Sequence, residues 1–346
     1  MTSTLLDLKL KAPLFQSPMA GVQDHRLAMA VCEAGGLGAL PAAMLSLEQL
    51  DSELAQLSQK TKAPFNVNFF CHATPEEDPT ALDRWHEALK PYYQEFGLDP
   101  RQMPQGAGRQ PFSPAAAEVL EAYKPAVVSF HFGLPEPRLI QRVKSWGSRI
   151  IASATTVKEA LWLQSQGADA VIAQGLEAGG HRGHFLSHDL SEQMGTFALV
   201  PALRRTLAIP VVAAGGIADA QGVRSALTLG ADGIQAGTVF LCANEATTSR
   251  LHRQALRSQA CVHTALTNLL SGRPARGMVN RLMHEMGPLS TLAPAFPLAT
   301  AALVPLRAAA EAQGRTDFSP LWCGQNASAC EEKPAAELVQ GLIRGF

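Results

Sequence analysis

Charge is scarce in this chain. Of 346 residues, 17% are charged, below the ~25% usual in soluble domains. Neither sign has a surplus: 29 Lys and Arg stand against 30 Asp and Glu, for a formal net charge of −1. No global basic field exists to gather nucleic acid or anionic lipid, so neither is an expected partner. Long apolar runs are missing too. The longest, Ala293–Leu306, has 14 residues and three prolines, too short and too broken to cross a bilayer. The N-terminal MTSTLLDLKLKAP lacks a cationic stretch followed by an apolar run, so no signal peptide is expected. The six cysteines are Cys32, Cys71, Cys242, Cys261, Cys323 and Cys330. None forms a CxxC pair or lies near His at a zinc-type spacing, so neither a disulfide framework nor a metal is expected, and a reduced cytoplasmic setting fits. No Walker A motif is present and no GxGxxG follows a strand, which argues against P-loop and Rossmann sites. Gly35-Gly36-Leu37-Gly38 precedes a strand instead and reads as a helix cap and strand lead-in.

What the chain does have is alternation. Eight short apolar runs are expected to be strands: Pro13–Ala20, Leu37–Ala43, Pro64–Phe70, Ala126–Phe132, Arg149–Thr155, Asp169–Gly175, Ile209–Gly216 and Gly233–Phe240. Runs such as Val-Val-Ala-Ala and Ala-Val-Ile-Ala are apolar on both alternating faces, as in a parallel sheet covered on both sides. Helical patterns lie between and after them: Asp24–Ala34, Ser46–Gln59, Asp78–Phe96, Pro114–Tyr123, Pro137–Trp146, Thr156–Gln166, Thr196–Leu207 and Asp219–Leu229. Ser46 with Gln49, and Asp219, are N-cap signals; Gly97, Gly147, Gly167 and Gly230 are C-cap signals. Gln166-Gly167-Ala168-Asp169 is echoed by Leu229-Gly230-Ala231-Asp232, each time at a helix end before a strand. Repeated βα units leave a doubly wound sheet or a closed barrel, and eight of them favour the (β/α)₈ TIM barrel. After Phe240 the strand signal stops. Residues 244–320 read as an appended helical subdomain near the barrel mouth. Residues 1–243 plus 321–346 form the barrel, with Trp322–Phe346 packing back as a helix.

In such a barrel, chemistry collects at the C-terminal strand ends. Gly215-Gly216 ends the seventh strand and Gly237-Thr238 the eighth, where barrels commonly bind phosphate. Glycine lets backbone N–H groups approach oxygens. A plain tight turn is the alternative. The loop after strand six, Glu177-Ala178-Gly179-Gly180-His181, couples flexible backbone to a titratable ring suited to proton transfer or anion stabilisation. The competing reading is a surface histidine in a mobile glycine loop, and His184 and His188 lie closer to it. His131, between Phe130 and Phe132, lines the cavity or is a satisfied core histidine. Asn68, Gln174 and Gln235 are strand-end amides that suit a flat cofactor with a polar edge. The basic loop Ser271–Gly277 could meet an anion, but helix-capping arginines are the more ordinary reading. No Lys ends a predicted strand, which weighs against a barrel aldolase working through a Schiff base.

Seven segments occur in an order that resembles a family: Gln16–Gly21, Ser129–Gly133, Ala152–Ala160, Gln174–Gly183, Pro210–Asp219, Gly230–Thr238 and Ser271–Gly277. Together, from about residue 12 to 325, they resemble nitronate monooxygenases, formerly called 2-nitropropane dioxygenases, of the bacterial class I type. The resemblance implies an FMN-binding TIM barrel that uses O₂ to oxidise a small nitronate. It puts FMN contacts at Met19, Ala20, Asn68, Gln174, Gly179, Gly216, Gln235, Gly237 and Thr238, with Gly180 and Gly215 completing the loop and rim. It implies that His181 is the catalytic histidine and that His131 is a second cavity histidine. The substrate pocket is expected to include His131, Met19 and Phe296. Class I relatives tend to carry tyrosines and a lysine where this chain has Pro294–Arg307. Here Phe296 and Thr300 stand instead, so a less polar alkyl nitronate is expected in place of propionate 3-nitronate. The rival readings are an FMN-dependent NAD(P)H reductase (enoyl-ACP or quinone) on the same fold, a non-catalytic flavin-binding protein, and a flavin-free barrel isomerase or aldolase. A monomer or homodimer is expected.

Overall fold

A computed structural model describes residues 5–76, 78–104 and 109–346. Residues 1–4, part of the N-terminal stretch in which no signal peptide is expected, lie outside the described residues. Eight parallel strands form the barrel: β1 (Leu14–Gln16), β2 (Gly38–Pro41), β3 (Phe65–Phe70), β4 (Val127–His131), β5 (Arg149–Ala154), β6 (Ala170–Gln174), β8 (Val211–Ala214) and β9 (Gly233–Ala236). Their order around the sheet is β1-β9-β8-β6-β5-β4-β3-β2. A parallel bridge between Phe15 and Leu37 joins the two edge strands. Gln16 N–H donates to the Leu37 carbonyl at 2.9 Å, and Leu37 N–H to the Leu14 carbonyl at 2.8 Å. Each strand falls inside its expected run, and the strands are buried nearly throughout, as double coverage demands.

The helices α1 (His25–Ala34), α2 (Leu47–Lys60), α4 (Pro114–Tyr123), α5 (Pro137–Ser145), α6 (Val157–Ser165), α7 (Thr196–Thr206) and α8 (Ala220–Thr228) surround the sheet. Ser46 and Gln49 form the expected capping box. The Asp219 side chain accepts from Gly222 N–H. The sequence echo also has a structural reason. Asp169 Oδ2 accepts from Ile150 N–H at 2.7 Å, and Asp232 Oδ2 accepts from Val211 N–H at 2.9 Å. Each aspartate caps the start of the preceding strand, so the repeated Gly-Ala-Asp makes one repeated joint between neighbouring strands.

Three expectations are corrected. First, the region after Phe240 does contain strands. The short β7 (Gly180–His181), β10 (Thr264–Thr267) and β11 (Ala275–Met278) form an antiparallel sheet in the order β10-β11-β7. Ala275-Arg276-Gly277-Met278 has little strand propensity of its own; pairing with distant segments makes it a strand. Second, α3 (Pro79–Glu95) does not cover the barrel. Its Trp85, Leu89, Tyr92 and Tyr93 join a separate core with Leu282, Met283, Leu303, Leu306 and Phe318. These come from α10 (Arg281–Met286), α11 (Ala299–Ala312) and the loop beyond. The Tyr93 hydroxyl donates to the Ala302 carbonyl at 2.6 Å, and the Trp85 indole N–H to that of Ala299 at 3.3 Å. The barrel position beside α2 and α5 is taken by α4. In the appended region, α9 (Arg250–Leu256) packs through Leu256 with Leu241, Cys242 and Met278. Third, the C-terminal segment is helical only in α12 (Ala335–Ile343), which packs on α1. Pro334 stands at its N-cap, and the stretch before it is a loop crossing the barrel mouth. Among the described residues no helix is long and apolar enough to cross a membrane.

Candidate active site

A cavity opens at the C-terminal ends of the strands. Met19, Ala20, Asn68, His131, Gln174, Gly179, Gly180, His181, Gly215, Gly216, Gln235, Gly237 and Thr238 all line it. Phe296 stands at its margin, with its ring centroid 5.3 Å from that of His181. The fold therefore gathers around one cavity the residues that the resemblance named, whereas His184 and His188 do not line it. It gives the gathered residues different work.

The β8–β9 side is made of backbone. Gly215 and Gly216 have φ of +124° and +74°, conformations that side chains disfavour. A Cβ on Gly179 would fall 2.4 Å from the Cys323 carbonyl carbon. The N–H groups of Gly216, Gly237 and Thr238 have no acceptor among the described residues. The mouth-crossing loop clamps this rim. Gly324 N–H donates to Thr238 Oγ1 at 2.9 Å, and Asn326 Nδ2 to the Gly216 carbonyl at 3.0 Å. Glu177, the nearby carboxylate, is drawn off to α7, where it accepts from Thr196 N–H and Oγ1 at 2.8 Å each. What remains is a rim of donors without an opposing negative charge. Gln235 Oε1 is buried and has no hydrogen-bond partner among the described residues, on a residue that lines the cavity.

The other amides are already engaged. Gln174 Nε2 donates to the His181 carbonyl at 2.9 Å, and its Oε1 accepts from Gly183 N–H at 2.7 Å. Asn68 Nδ2 donates to the Ser129 hydroxyl and carbonyl at 3.0 and 3.2 Å. Gln174 thus pins the loop that carries His181. Arg182, fully buried, does the same by donating to the Gly175 and Gln174 carbonyls at 2.7 and 2.8 Å. Burial lowers its pKa to about 10, still charged at neutral pH. The loop is therefore rigid, contrary to the mobile-loop alternative.

His131 serves both of its expected readings. It lines the cavity, and its ring is fully bonded: Nδ1 to Ser153 Oγ and Nε2 to the His181 carbonyl, both at 3.0 Å. Burial lowers its pKa to about 3, so it is neutral. His181 is pushed well below 6.5, first by burial and then by Arg109, His131, Arg273 and His72. Its Nε2 lies 2.8 Å from Ser271 Oγ. His184, read as a surface residue, is instead 1% exposed, with both ring nitrogens lacking partners. The glycine loop carries it inward behind Arg273, which donates to its carbonyl.

Several participants escaped sequence reasoning. Arg109 lines the cavity, donates to Thr300 Oγ1 at 3.1 Å and lies over the Phe296 ring at 5.6 Å. It has no carboxylate partner among the described residues. A cation thus reaches the cavity from a loop far from Pro294–Arg307 in sequence. Arg307, the cation within that stretch, pairs with Glu311. The Arg273 guanidinium lies 4.1 Å over the Phe132 ring. Phe70, Phe132, Phe296 and Trp322 surround the His181 ring, with centroids 5.3 to 6.0 Å away. No local pattern marks Arg109; only its place in the fold does.

Known proteins resemble this chain over nearly its whole length. The family model described as nitronate monooxygenase matches residues 2–345. A nitronate monooxygenase of Pseudomonas aeruginosa is 40% identical over 97% of this chain and 96% of its own length. The solved structure of a nitroalkane oxidase from Streptomyces ansochromogenes superposes with a TM-score of 0.88 at 38% identity, covering 96% of this chain and 95% of that one. FabK from Thermotoga maritima superposes less well, with a TM-score of 0.72 at 28% identity, over 98% and 94%. By its sequence over nearly the whole chain and by its barrel, the protein belongs to the nitronate monooxygenase family, a family of flavin-dependent oxidoreductases.

Proposed function

We propose that this cavity holds FMN and that the enzyme oxidises alkyl nitronates with O₂ to a carbonyl compound and nitrite. The observation that carries the cofactor is the pairing of a donor rim with an orphaned acceptor. The free N–H groups of Gly216, Gly237 and Thr238 suit a phosphate, and a Cβ at Gly179 would break the wall beside them. The buried, unpartnered Gln235 Oε1 suits a ring-edge N–H. Met19 and Ala20 are the apolar residues proposed to lie against the flavin. When bound, FMN supplies the acceptor for the electrons of the nitronate.

The protein's part is to bind, orient and exclude water. Arg109 offers the anionic substrate a positive charge, and Phe70, Phe132 and Phe296 keep the reacting face dry. His181 stands beside that face as a neutral ring able to take a proton when an anion arrives. His131 acts through the backbone of His181, as a positioning residue. The pocket wall is thus apolar, with the Arg109 guanidinium set into it.

The test is the visible spectrum of the purified protein before and after anaerobic addition of an alkyl nitronate, followed by nitrite release in air. Flavin bands, their bleaching and nitrite formation are expected. Colourless protein would end the cofactor assignment. Yellow protein releasing no nitrite from any nitronate would favour a flavin carrier. Rapid bleaching by NADH or NADPH alone would favour a nicotinamide-dependent reductase.

A further inference from the structure

We propose that Ser271 is a positioning residue that holds the His181 imidazole protonated at Nε2, leaving Nδ1 as the lone pair that faces the cavity. The inference rests on the reading of His181 above and deepens it.

Ser271 comes from the turn between β10 and β11, outside the barrel, 90 residues from His181 in the chain. It is 1% exposed. Its Oγ lies 2.8 Å from His181 Nε2, 3.2 Å from the Arg273 carbonyl and 3.4 Å from Arg273 N. A hydroxyl has one proton to give and two lone pairs to receive with. Donation to the Arg273 carbonyl leaves both lone pairs free, for His181 Nε2–H and Arg273 N–H. Every group in the cluster then has a partner. Donation to Nε2 instead strips the Arg273 carbonyl of this donor. The first arrangement makes one more hydrogen bond in a buried place, where a missing one costs most.

The ring cannot turn away easily. The His181 carbonyl accepts from both Gln174 Nε2 and His131 Nε2, and His181 pairs with Ala275 in the antiparallel sheet. Nδ1 has no partner among the described residues, and it is not one of the sealed, unpartnered atoms. It is therefore the open nitrogen.

The titratable groups facing His181 are all bases, and only Arg109 and Arg273 among them carry charge at neutral pH. His131 reaches it from β4, His72 from the loop after β3, Arg109 from the loop before α4 and Arg273 from the β10–β11 turn. No carboxylate is among them, so the free ring stays neutral. A bound nitronate supplies the negative charge that these groups lack. A proton from solvent then forms the Nδ1–H bond while Nε2–H stays on Ser271. The serine oxygen favours the resulting cation because the hydrogen bond it accepts from Nε2–H strengthens when the ring is charged.

The wild-type protein, loaded with flavin and labelled with ¹⁵N-histidine, tests this directly. Ring nitrogen NMR, with the His181 signals assigned by their loss in His181→Ala, is expected to show protonated Nε2 and bare Nδ1. A proton on Nδ1 in the free enzyme would overturn the proposal. In Ser271→Ala, the flavin spectrum should be unchanged while the pH at which kcat/KM falls moves acidward by about one unit, roughly a tenfold loss at neutral pH. Activity should recover at lower pH, and Ser271→Thr should restore the wild-type profile. A Ser271→Ala profile that superimposes on the wild type would also overturn it. Full activity in His181→Ala, beside the expected nitrogen spectrum, would leave the tautomer assignment standing and retire the catalytic reading of His181.

Discussion

The two sides of the cavity are built by opposite means. The β8–β9 rim works because side chains are missing: Gly215, Gly216 and Gly237 bare their backbone, and Gly179 lets the mouth-crossing loop press close. The β4–β6 side works because side chains converge: His131, His181, Ser271, Arg109 and Arg273 meet there from four separate stretches of chain. A backbone site is specified by a few adjacent residues. A side-chain site needs the whole fold to assemble it. The first should fail all at once when crowded, whereas the second should fail by degrees as single groups are removed.

Crowding the backbone side gives the largest effect. Gly179→Val puts a side chain into the Cys323–Gly324 backbone. We expect flavin loss and at least ~100-fold lower activity, since small misplacements cost that much. The flavin-to-protein absorbance ratio checks it; a fully loaded, active variant would erase the contrast between the two sides. Next is His181→Ala, expected to keep flavin but lose roughly 10²- to 10⁴-fold in kcat/KM. Steady-state kinetics on a flavin-matched basis decide. Smaller again is Arg109→Met. Removing one charged donor should raise KM for an alkyl nitronate about tenfold with little change in kcat. An unchanged KM would mean the guanidinium is only packing on Phe296.

The smallest effect concerns stability and acid. Burial lowers the pKa of His131 and His184 to about 3 and of His72 and His252 to about 4, from 6.5. The folded chain then binds fewer protons than the unfolded chain between those values. Stability from these rings is fully present above pH 6.5 and is lost as pH falls toward the folded values. Tm should drop on acidification through this window. His184, whose ring nitrogens have no hydrogen-bond partner among the described residues, is the cleanest probe. His184→Leu should narrow the Tm gap between pH 7.5 and 5, and an unchanged gap would show that its burial carries no such cost.

Much of this was legible in the linear chain. The barrel strands stand within the apolar runs because double-sided burial leaves an unmistakable pattern. The glycine rims were legible because Gly215-Gly216 and Gly237-Thr238 sit directly at strand ends. Gln174 was legible as a cavity residue, but its hydrogen bonds to the loop that carries His181 were not, because an amide at a strand end looks the same whatever it meets. The strand Ala275–Met278 was not legible, since its pairing with Gly180–His181 comes from far away in sequence. Helix α3 misled for the same reason: its apolar face is clear, but the surface it meets lies 209 residues on at Ala302.

By itself, then, the sequence determined the periodic and conformational part of this protein: which segments are strands, where they end, and where backbone must be bare. Those properties depend on neighbours within a turn or two. Only the tertiary structure decided the electrostatic part: which cation enters the pocket, which hydroxyl meets the His181 ring, and which core α3 joins. Charge and hydrogen bonding act through space at a few ångströms, and no local pattern records which distant residues the closing barrel brings within that range.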